Sequence, residues 1–187
     1  MDDACAENEG SMAAMIGGDE SAVRALAEKV DVDVANLNAP GQIVLSGSPE
    51  GIAAAIAGAR DAGLRMGKEL DVAGAYHSRL MQPAQDQLAE VLAGTEFSEP
   101  AFPVVGNVEA RPAEGAAELR STLERQVTGT VRWIESMQYL FDAGFDTFVE
   151  FSPKPVLAGM MKRISKEATV CTVGDPESLQ RAVDTLC

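Results

Sequence analysis

The feature that most constrains the fold is a strong turn signal between two short apolar segments. Residues 32–37 and residues 42–45 each have the Val-, Leu- and Ile-rich pattern of a β-strand. The tetrapeptide Asn38-Ala39-Pro40-Gly41 lies between them and is typical of a turn. The sequence therefore predicts two strands that follow one another directly in one sheet.

A helix and a further strand flank this pair on each side. Capping signals start one helix over residues 21–30 and another at Pro49. Apolar runs at residues 11–16 and 64–72 are predicted to be the remaining strands. The order β-α-β-β-α-β over residues 11–72 is typical of a ferredoxin-like sandwich, one antiparallel sheet with two helices on one face.

The pattern changes after residue 73. It predicts helices over residues 78–93, 116–126, 130–143 and 155–164, and strands over residues 100–105, 147–151 and 168–173. Helices that alternate with short apolar strands indicate an α/β layer with a largely parallel sheet. The chain is therefore predicted to be an α/β protein in two parts.

Charge and composition exclude several classes of partner. The 187 residues include 15 Lys and Arg against 29 Asp and Glu, a net charge of −14. This excess argues against nucleic acid and anionic membrane as partners, and a local basic cluster, residues 154–166, fits a solvated helix face better than a docking site. No apolar run is long enough to cross a bilayer, and the acidic N-terminus does not resemble a signal peptide, so we expect a cytoplasmic protein.

The cysteines and the motifs for phosphate binding give no sign of a metal or cofactor. Three cysteines lie far apart and the chain has one histidine, so a zinc site or a disulfide framework is not expected. No P-loop and no Gly-x-Gly-x-x-Gly occurs, so a nucleotide cofactor is not indicated.

The single histidine is the one residue that suggests catalysis. His77 follows a predicted strand and precedes a helix start, where an imidazole can serve as a general acid or base, although capping of the following helix is the more common role of such a histidine. Ser78 is its neighbour, but adjacent residues rarely form a nucleophile–base pair, and no Gly-x-Ser-x-Gly nucleophile elbow is present. From the residues alone, the chain is a two-part α/β protein with one suggestive histidine.

Six segments, in order along nearly the whole chain, resemble the motifs of malonyl-CoA:acyl-carrier-protein transacylases. They are Gly10-Ser11-Met12-Ala13-Ala14-Met15-Ile16-Gly17, Asn36-Leu37-Asn38-Ala39-Pro40-Gly41-Gln42-Ile43-Val44-Leu45-Ser46-Gly47, Gly74-Ala75-Tyr76-His77-Ser78-Arg79-Leu80-Met81, Val104-Val105-Gly106-Asn107-Val108, Arg125-Gln126-Val127 with Val131-Arg132-Trp133, and Phe148-Val149-Glu150-Phe151-Ser152-Pro153 with Val156-Leu157-Ala158-Gly159. The resemblance implies an incomplete hydrolase-like α/β subdomain and an inserted ferredoxin-like one, with the active site in the cleft between them. Residues 1–10 would be an N-terminal remnant of the large subdomain, residues 11–72 the small subdomain and residues 73–187 the C-terminal part of the large one.

The reaction implied by the resemblance is ping-pong malonyl transfer in fatty-acid biosynthesis. A serine takes malonyl from malonyl-CoA, and the phosphopantetheine thiol of acyl carrier protein then takes it from the serine; both partners are substrates, and no cofactor is implied. By resemblance, His77 is the general base, and Gln126 has the orienting role that a backbone carbonyl near it plays in the family. Asn107 would support the histidine. An aromatic residue at the position of Tyr76 accompanies malonyl selectivity, because a ring there leaves no room for an α-methyl branch; the alternative is that Tyr76 simply packs between the subdomains.

The resemblance also implies that essential parts lie outside these residues. The serine elbow, the arginine that pairs with the malonyl carboxylate and most of the oxyanion hole belong to the family's N-terminal part, so we expect no malonyl transfer by this polypeptide alone. Missing strands would leave apolar surface and sheet edges exposed, and self-association, element swapping or a separately encoded partner would then cover them. A cloned fragment or a misassigned gene start is the simpler explanation.

Two alternatives use the same motifs. One is a fragment of a polyketide-synthase-type acyltransferase. The other is a non-catalytic module that binds carrier protein without being acylated.

Overall fold

The computed structural model describes residues 1–186, which divide into two compact units, one ending at Ser136 and the other beginning at Met137. The first unit contains α1 (Asp2–Glu7), β1 (Ser11–Ile16), α2 (Glu20–Lys29), β2 (Asp33–Ala39), β3 (Gln42–Gly47), α3 (Pro49–Gly58), β4 (Met66–Glu69), a 3-10 turn (Arg79–Met81), α4 (Gln82–Ala93) and α5 (Ala116–Arg125). The second contains β5 (Thr147–Phe151), α7 (Leu157–Ile164), β6 (Thr169–Val173) and α8 (Pro176–Leu186), and α6 (Trp133–Asp142) spans the division. No helix within the described residues is both long and apolar enough to cross a lipid bilayer.

The first unit is built on an antiparallel sheet with the strand order β2-β3-β1-β4. Its elements follow the predicted order β-α-β-β-α-β over residues 11–72. The predicted turn is a tight connection from Ala39 to Gln42, and Gly41 adopts a φ of +67°, which suits a residue without a Cβ. The Ser48 hydroxyl accepts the Gly51 N–H at 3.1 Å and so caps α3, as its sequence position indicates.

Each face of this sheet is covered by different elements. One face carries Met15 and Leu45, both fully buried, under Val23 of α2 and Ile52 of α3. The opposite face carries a smaller cluster in which Met12, Ala35 and Val44 are packed against Leu70 and Tyr76. Because side chains alternate across a strand, neighbouring positions of β1 and β3 point to opposite faces, and both sets are apolar, which causes this two-sided burial.

The strand predicted over residues 100–105 does not form. In its place Val105 makes a single isolated antiparallel bridge with Pro112. Pro100 and Pro103 lack the backbone N–H that a ladder requires, so the apolar residues beside them cannot extend a sheet.

The second unit has a two-stranded parallel sheet, in which Thr147 pairs with Thr169 and Phe151 with Val173. Phe141 and Phe148 meet edge to face with their ring centroids 5.5 Å apart. The helix α8 is not predicted by the sequence analysis above. Its start is nevertheless marked in the sequence, because Asp175 precedes Pro176 and its carboxylate accepts the Ser178 N–H at 2.7 Å.

Candidate active site

His77 lies in a loop whose approach from β4 is closely packed. Ala75 is fully buried against Gly10, and a Cβ placed on Gly10 would lie 2.5 Å from the Cβ of Ala75. His77 itself adopts a φ of +56°, in the left-handed region that side chains with a Cβ seldom occupy. Strained backbone of this kind persists only where the surroundings hold it, and it is concentrated at functional sites.

Ser78 is part of the loop's framework and is not placed as a nucleophile. Its side chain is fully buried, and its Oγ donates to the Ala75 carbonyl at 2.6 Å. The same oxygen accepts the Leu80 N–H at 3.2 Å and so caps the following 3-10 turn. A hydroxyl with both capacities used inside the protein is not available to attack a thioester.

The imidazole of His77 is hydrogen-bonded on one side to a backbone carbonyl. Its Nδ1 lies 2.9 Å from the carbonyl oxygen of Gln126, the residue that caps the C-terminus of α5. A carbonyl can only accept, so Nδ1 must carry the hydrogen, and the lone pair of the neutral ring is then on Nε2. His77 is half-buried and lines a groove, so the ring can be reached from outside.

Asn107 is hydrogen-bonded to Gln126, the residue whose carbonyl meets His77. Its Nδ2 donates to Oε1 of Gln126 at 3.0 Å, and its own carbonyl accepts the Arg132 N–H at 2.9 Å. The structure therefore brings His77, Gln126 and Asn107 into one chain of contacts, although they are up to 49 residues apart in sequence.

Tyr76 is placed in the packing beneath the loop. Its side chain packs against the sheet face that carries Met12 and Val44, and also against a second cluster that contains Ala4, Met81 and Val127. A hydrogen bond to Cys5, followed by burial, raises the pKa of the Tyr76 phenol above its ordinary value. Tyr76 is therefore held between the sheet and the residues around Met81.

The groove beside His77 has a volume of about 460 Å³. Seven of the residues that line it come from β2, from the loop and turn after His77, and from the segment before α6: Asp33, Val34, His77, Arg79, Thr128, Gly129 and Thr130. That last segment is fixed by the sheet, because the Thr130 hydroxyl donates to the Val34 carbonyl at 2.7 Å and the Val131 N–H to the Ala35 carbonyl at 2.8 Å.

Several groove residues are missed by sequence reasoning. Asp33, Thr128 and Thr130 carry no local signal, since each is placed by contacts far away in sequence. Within the described part of the chain, no group of three or more His, Cys, Asp or Glu side chains is arranged to hold a metal ion.

Comparisons with known proteins give the family. Residues 4–182 match the acyl transferase domain. The chain is 37% identical over 191 residues to the malonyl CoA-acyl carrier protein transacylase of Bacillus subtilis strain 168, in an alignment that includes 100% of this chain and 60% of that protein. It is 40% identical over 163 residues to the polyketide biosynthesis malonyl CoA-acyl carrier protein transacylase PksC of the same organism, covering 85% of this chain and 56% of the relative.

Solved structures agree with the sequence matches. The chain is similar, with a TM-score of 0.90 and 35% identity, to a chain in the complex PlMCAT:AntF, a type II PKS acyl-carrier protein with its malonyl-transacylase, and the match covers 94% of this chain and 58% of that one. The chain thus spans about 60% of the length of the relatives that it matches. These findings confirm the resemblance to malonyl-CoA:acyl-carrier-protein transacylases that the motifs predict, and the chain belongs to the acyl transferase domain family.

Proposed function

We propose that this chain supplies the general base for malonyl transfer from malonyl-CoA to the phosphopantetheine thiol of acyl carrier protein. The observation that carries the proposal is the 2.9 Å contact between Nδ1 of His77 and the Gln126 carbonyl. That contact sets the tautomer and orientation of the ring, which is what a histidine needs to act as a base through its other nitrogen. The relatives named as malonyl transacylases support the choice of reaction.

In the first half-reaction, Nε2 of His77 would take the proton of a serine hydroxyl as that oxygen attacks the thioester carbonyl of malonyl-CoA. The tetrahedral intermediate then collapses, the C–S bond breaks, and the imidazolium returns its proton to the sulfur of coenzyme A. In the second half-reaction, His77 takes the proton of the phosphopantetheine thiol, whose sulfur attacks the malonyl-serine ester. The serine oxygen leaves and receives that proton, so the base ends unchanged.

We propose that the serine is supplied by a separate elbow-bearing segment, since these 187 residues contain no Gly-x-Ser-x-Gly. We propose that residues 11–72 are the family's ferredoxin-like subdomain and that residues 1–10 and 73–187 are parts of its hydrolase-like one. The antiparallel sheet β2-β3-β1-β4 with its two helices supports the first assignment. The parallel pairing of β5 with β6 supports the second.

We also propose a preference for malonyl over branched acyl groups. It depends on Tyr76, whose side chain is held from two sides by packing and by Cys5. A fixed ring excludes an α-methyl group better than a mobile one, because it cannot move aside without loss of packing.

A polyketide pathway is the second candidate for the same chemistry. It is favoured by the 40% identity to a polyketide malonyl transacylase and by the match to a transacylase solved with a type II polyketide carrier protein. Parallel transfer assays with a fatty-acid and a polyketide carrier protein distinguish the two pathways. The carrier protein that is malonylated faster indicates the pathway.

The test of the proposed function is intact-mass spectrometry after incubation with malonyl-CoA. The 187-residue chain alone should show no malonyl adduct. In a second sample, the chain is mixed with the elbow-bearing segment of a relative. The malonyl adduct should then form on the serine of that segment. An adduct on the chain alone would contradict the proposal. No adduct in the second sample, together with binding of carrier protein to the chain in a separate titration, would favour a non-catalytic binding module.

A further inference from the structure

One carboxylate ties the histidine loop to the start of β2. Arg79, two residues after His77, donates its backbone N–H to Oδ2 of Asp33 at 2.8 Å. Its guanidinium meets the same carboxylate, with Nε 3.1 Å from Oδ2 and Nη2 3.0 Å from Oδ1. Such a forked, charge-assisted pair fixes direction as well as distance.

Asp33 can act as an anchor because the sheet holds it. It is the first residue of β2 and pairs with Ser46 of β3. Its side chain is 29% exposed, whereas that of Asp31, which makes one contact with Nη1 of Arg79 at 2.8 Å, is 85% exposed. An ion pair as exposed as that of Asp31 contributes little to structure. The contacts of Asp33 with Arg79 therefore restrain the histidine loop, and the most important of them is the hydrogen bond from the Arg79 backbone N–H.

The restraint acts where the loop needs one. His77 has a φ of +56°, and relaxation of this angle would turn the ring away from the Gln126 carbonyl. The residues before it are held by the close contact between Ala75 and Gly10. After His77, Ser78 holds only its own loop and turn, through Ala75 and Leu80. Asp33 is therefore the hydrogen-bonded link to the sheet on that side, whereas on the other side the loop is held to the sheet by the packing of Tyr76.

We propose that Asp33 is a positioning residue for the general base. By holding the backbone N–H of Arg79, it keeps His77 in the left-handed conformation in which Nδ1 meets the Gln126 carbonyl. The catalytic meaning of this inference rests on the proposed function, but the positioning itself can be measured without turnover.

The measurement uses the fact that His77 is the only histidine of the chain. In the uniformly ¹⁵N-labelled chain, long-range ¹H–¹⁵N spectra of imidazole therefore report one ring. At alkaline pH, where the ring is neutral, its two ¹⁵N shifts give the ratio of the Nδ1–H to the Nε2–H tautomer. That ratio follows the hydrogen bond made by Nδ1, and a change in overall stability that leaves the loop intact does not alter it.

Two variants remove the restraint. Asp33→Ala removes the carboxylate. Arg79→Pro removes the backbone N–H that the carboxylate accepts. The backbone tolerates proline at this position, because Arg79 is the first residue of the 3-10 turn. Ser78 before it also has the extended backbone that proline requires, with a φ of −132° and a ψ of 168°. In each variant we expect the Nδ1–H to Nε2–H ratio to fall roughly five-fold or more, the factor that corresponds to one net hydrogen bond.

Two further variants are controls. Arg79→Ala keeps the backbone N–H and should lose less of the ratio than Arg79→Pro. Asp31→Asn removes the negative charge from the exposed contact and should leave the ratio unchanged, and asparagine tolerates the φ of +56° at that position. Backbone amide spectra establish whether each variant is folded. If Asp33→Ala does not fold, the tautomer ratio of Arg79→Pro tests the inference.

A folded Arg79→Pro chain with the wild-type ratio would overturn the inference, as would an equal loss in Arg79→Ala. A wild-type chain that is mainly Nε2–H would instead contradict the proposed function. The two failures are thus distinguishable.

Discussion

The two sheets of this chain differ in how fully their strands are covered. In the four-stranded sheet, Met15 and Leu45 are fully buried under two helices, and the opposite face is covered by Leu70 and Tyr76. In the two-stranded sheet, one face of β5 is open, with Val149 37% exposed and Phe151 74% exposed. The difference shows that local sequence can build a strand without supplying what covers it.

The largest effect that this comparison predicts is in the core of the four-stranded sheet. Leu45→Ala should lower the free energy of unfolding of the first unit by about 2–5 kcal/mol, because it leaves a cavity in a fully buried cluster. Val149→Ala is the control in the two-stranded sheet and should cost less than about 1 kcal/mol, because it removes two carbons instead of three and part of that side chain is already in water. Urea unfolding gives both values, and equal losses would show that the two sheets are equally packed.

A smaller effect is expected at the one well-buried carboxylate of β5. Glu150 is 9% exposed and accepts the backbone N–H groups of Val156, Leu157 and Ala158 at 2.8 to 2.9 Å, at the start of α7. Glu150→Gln should destabilise α7 by about 1–3 kcal/mol, since three donors lose a charged acceptor. Glu167→Gln, on the exposed surface, is the control. Hydrogen-exchange protection of the α7 amides is the readout.

The same carboxylate predicts a pH dependence. Burial acts to raise the pKa of Glu150, but hydrogen bonds from Leu157, Val156 and Ala158 outweigh it and hold that pKa below its ordinary value. A lowered folded pKa contributes stability that is complete above the unfolded value of about 4.3 and is lost as the pH falls through the folded pKa. The difference in hydrogen-exchange protection of α7 between wild type and Glu150→Gln should therefore disappear at low pH. A difference that persists at low pH would contradict the lowered pKa of Glu150.

The smallest change in stability, and a clear change in association, is expected on the open face of β5. Phe151→Lys should alter the free energy of unfolding by no more than about 0.5 kcal/mol, because the ring is already exposed. We propose that the chain self-associates through this open face, and Phe151→Lys should then reduce that association, since a charge opposes edge and face pairing. Phe102→Lys is a matched control in the first unit, where Phe102 is 72% exposed. Sedimentation velocity should show an effect of the first variant only.

The sequence predicts the four-stranded sheet well because its signals are local. The Pro40-Gly41 turn, the Ser48 cap and the alternation of β1 and β3 each depend on residues a few positions apart. The prediction of a strand over residues 100–105 is wrong, because the two prolines lack the backbone N–H that a ladder requires, although their neighbours are apolar. The helix α8 has a capping signal at Asp175 and could have been found.

The site is predicted only as far as the family motifs reach. They single out His77, Gln126 and Asn107, and the roles of all three remain proposals. Sequence does not reveal the Asp33–Arg79 contact, which joins residues 46 positions apart, because nothing local to either residue requires it. It also does not reveal that Asn107 meets the Gln126 side chain, a contact set by the loop that precedes α6.

The most direct test of the central claim is the rate at which the elbow serine is acylated by malonyl-CoA when this chain is assembled with an elbow-bearing segment. We predict that His77→Ala lowers that rate by about 10²–10⁴-fold, the usual contribution of a general base, while the assembly still forms. Acylation at the wild-type rate in the assembled His77→Ala variant would contradict the account.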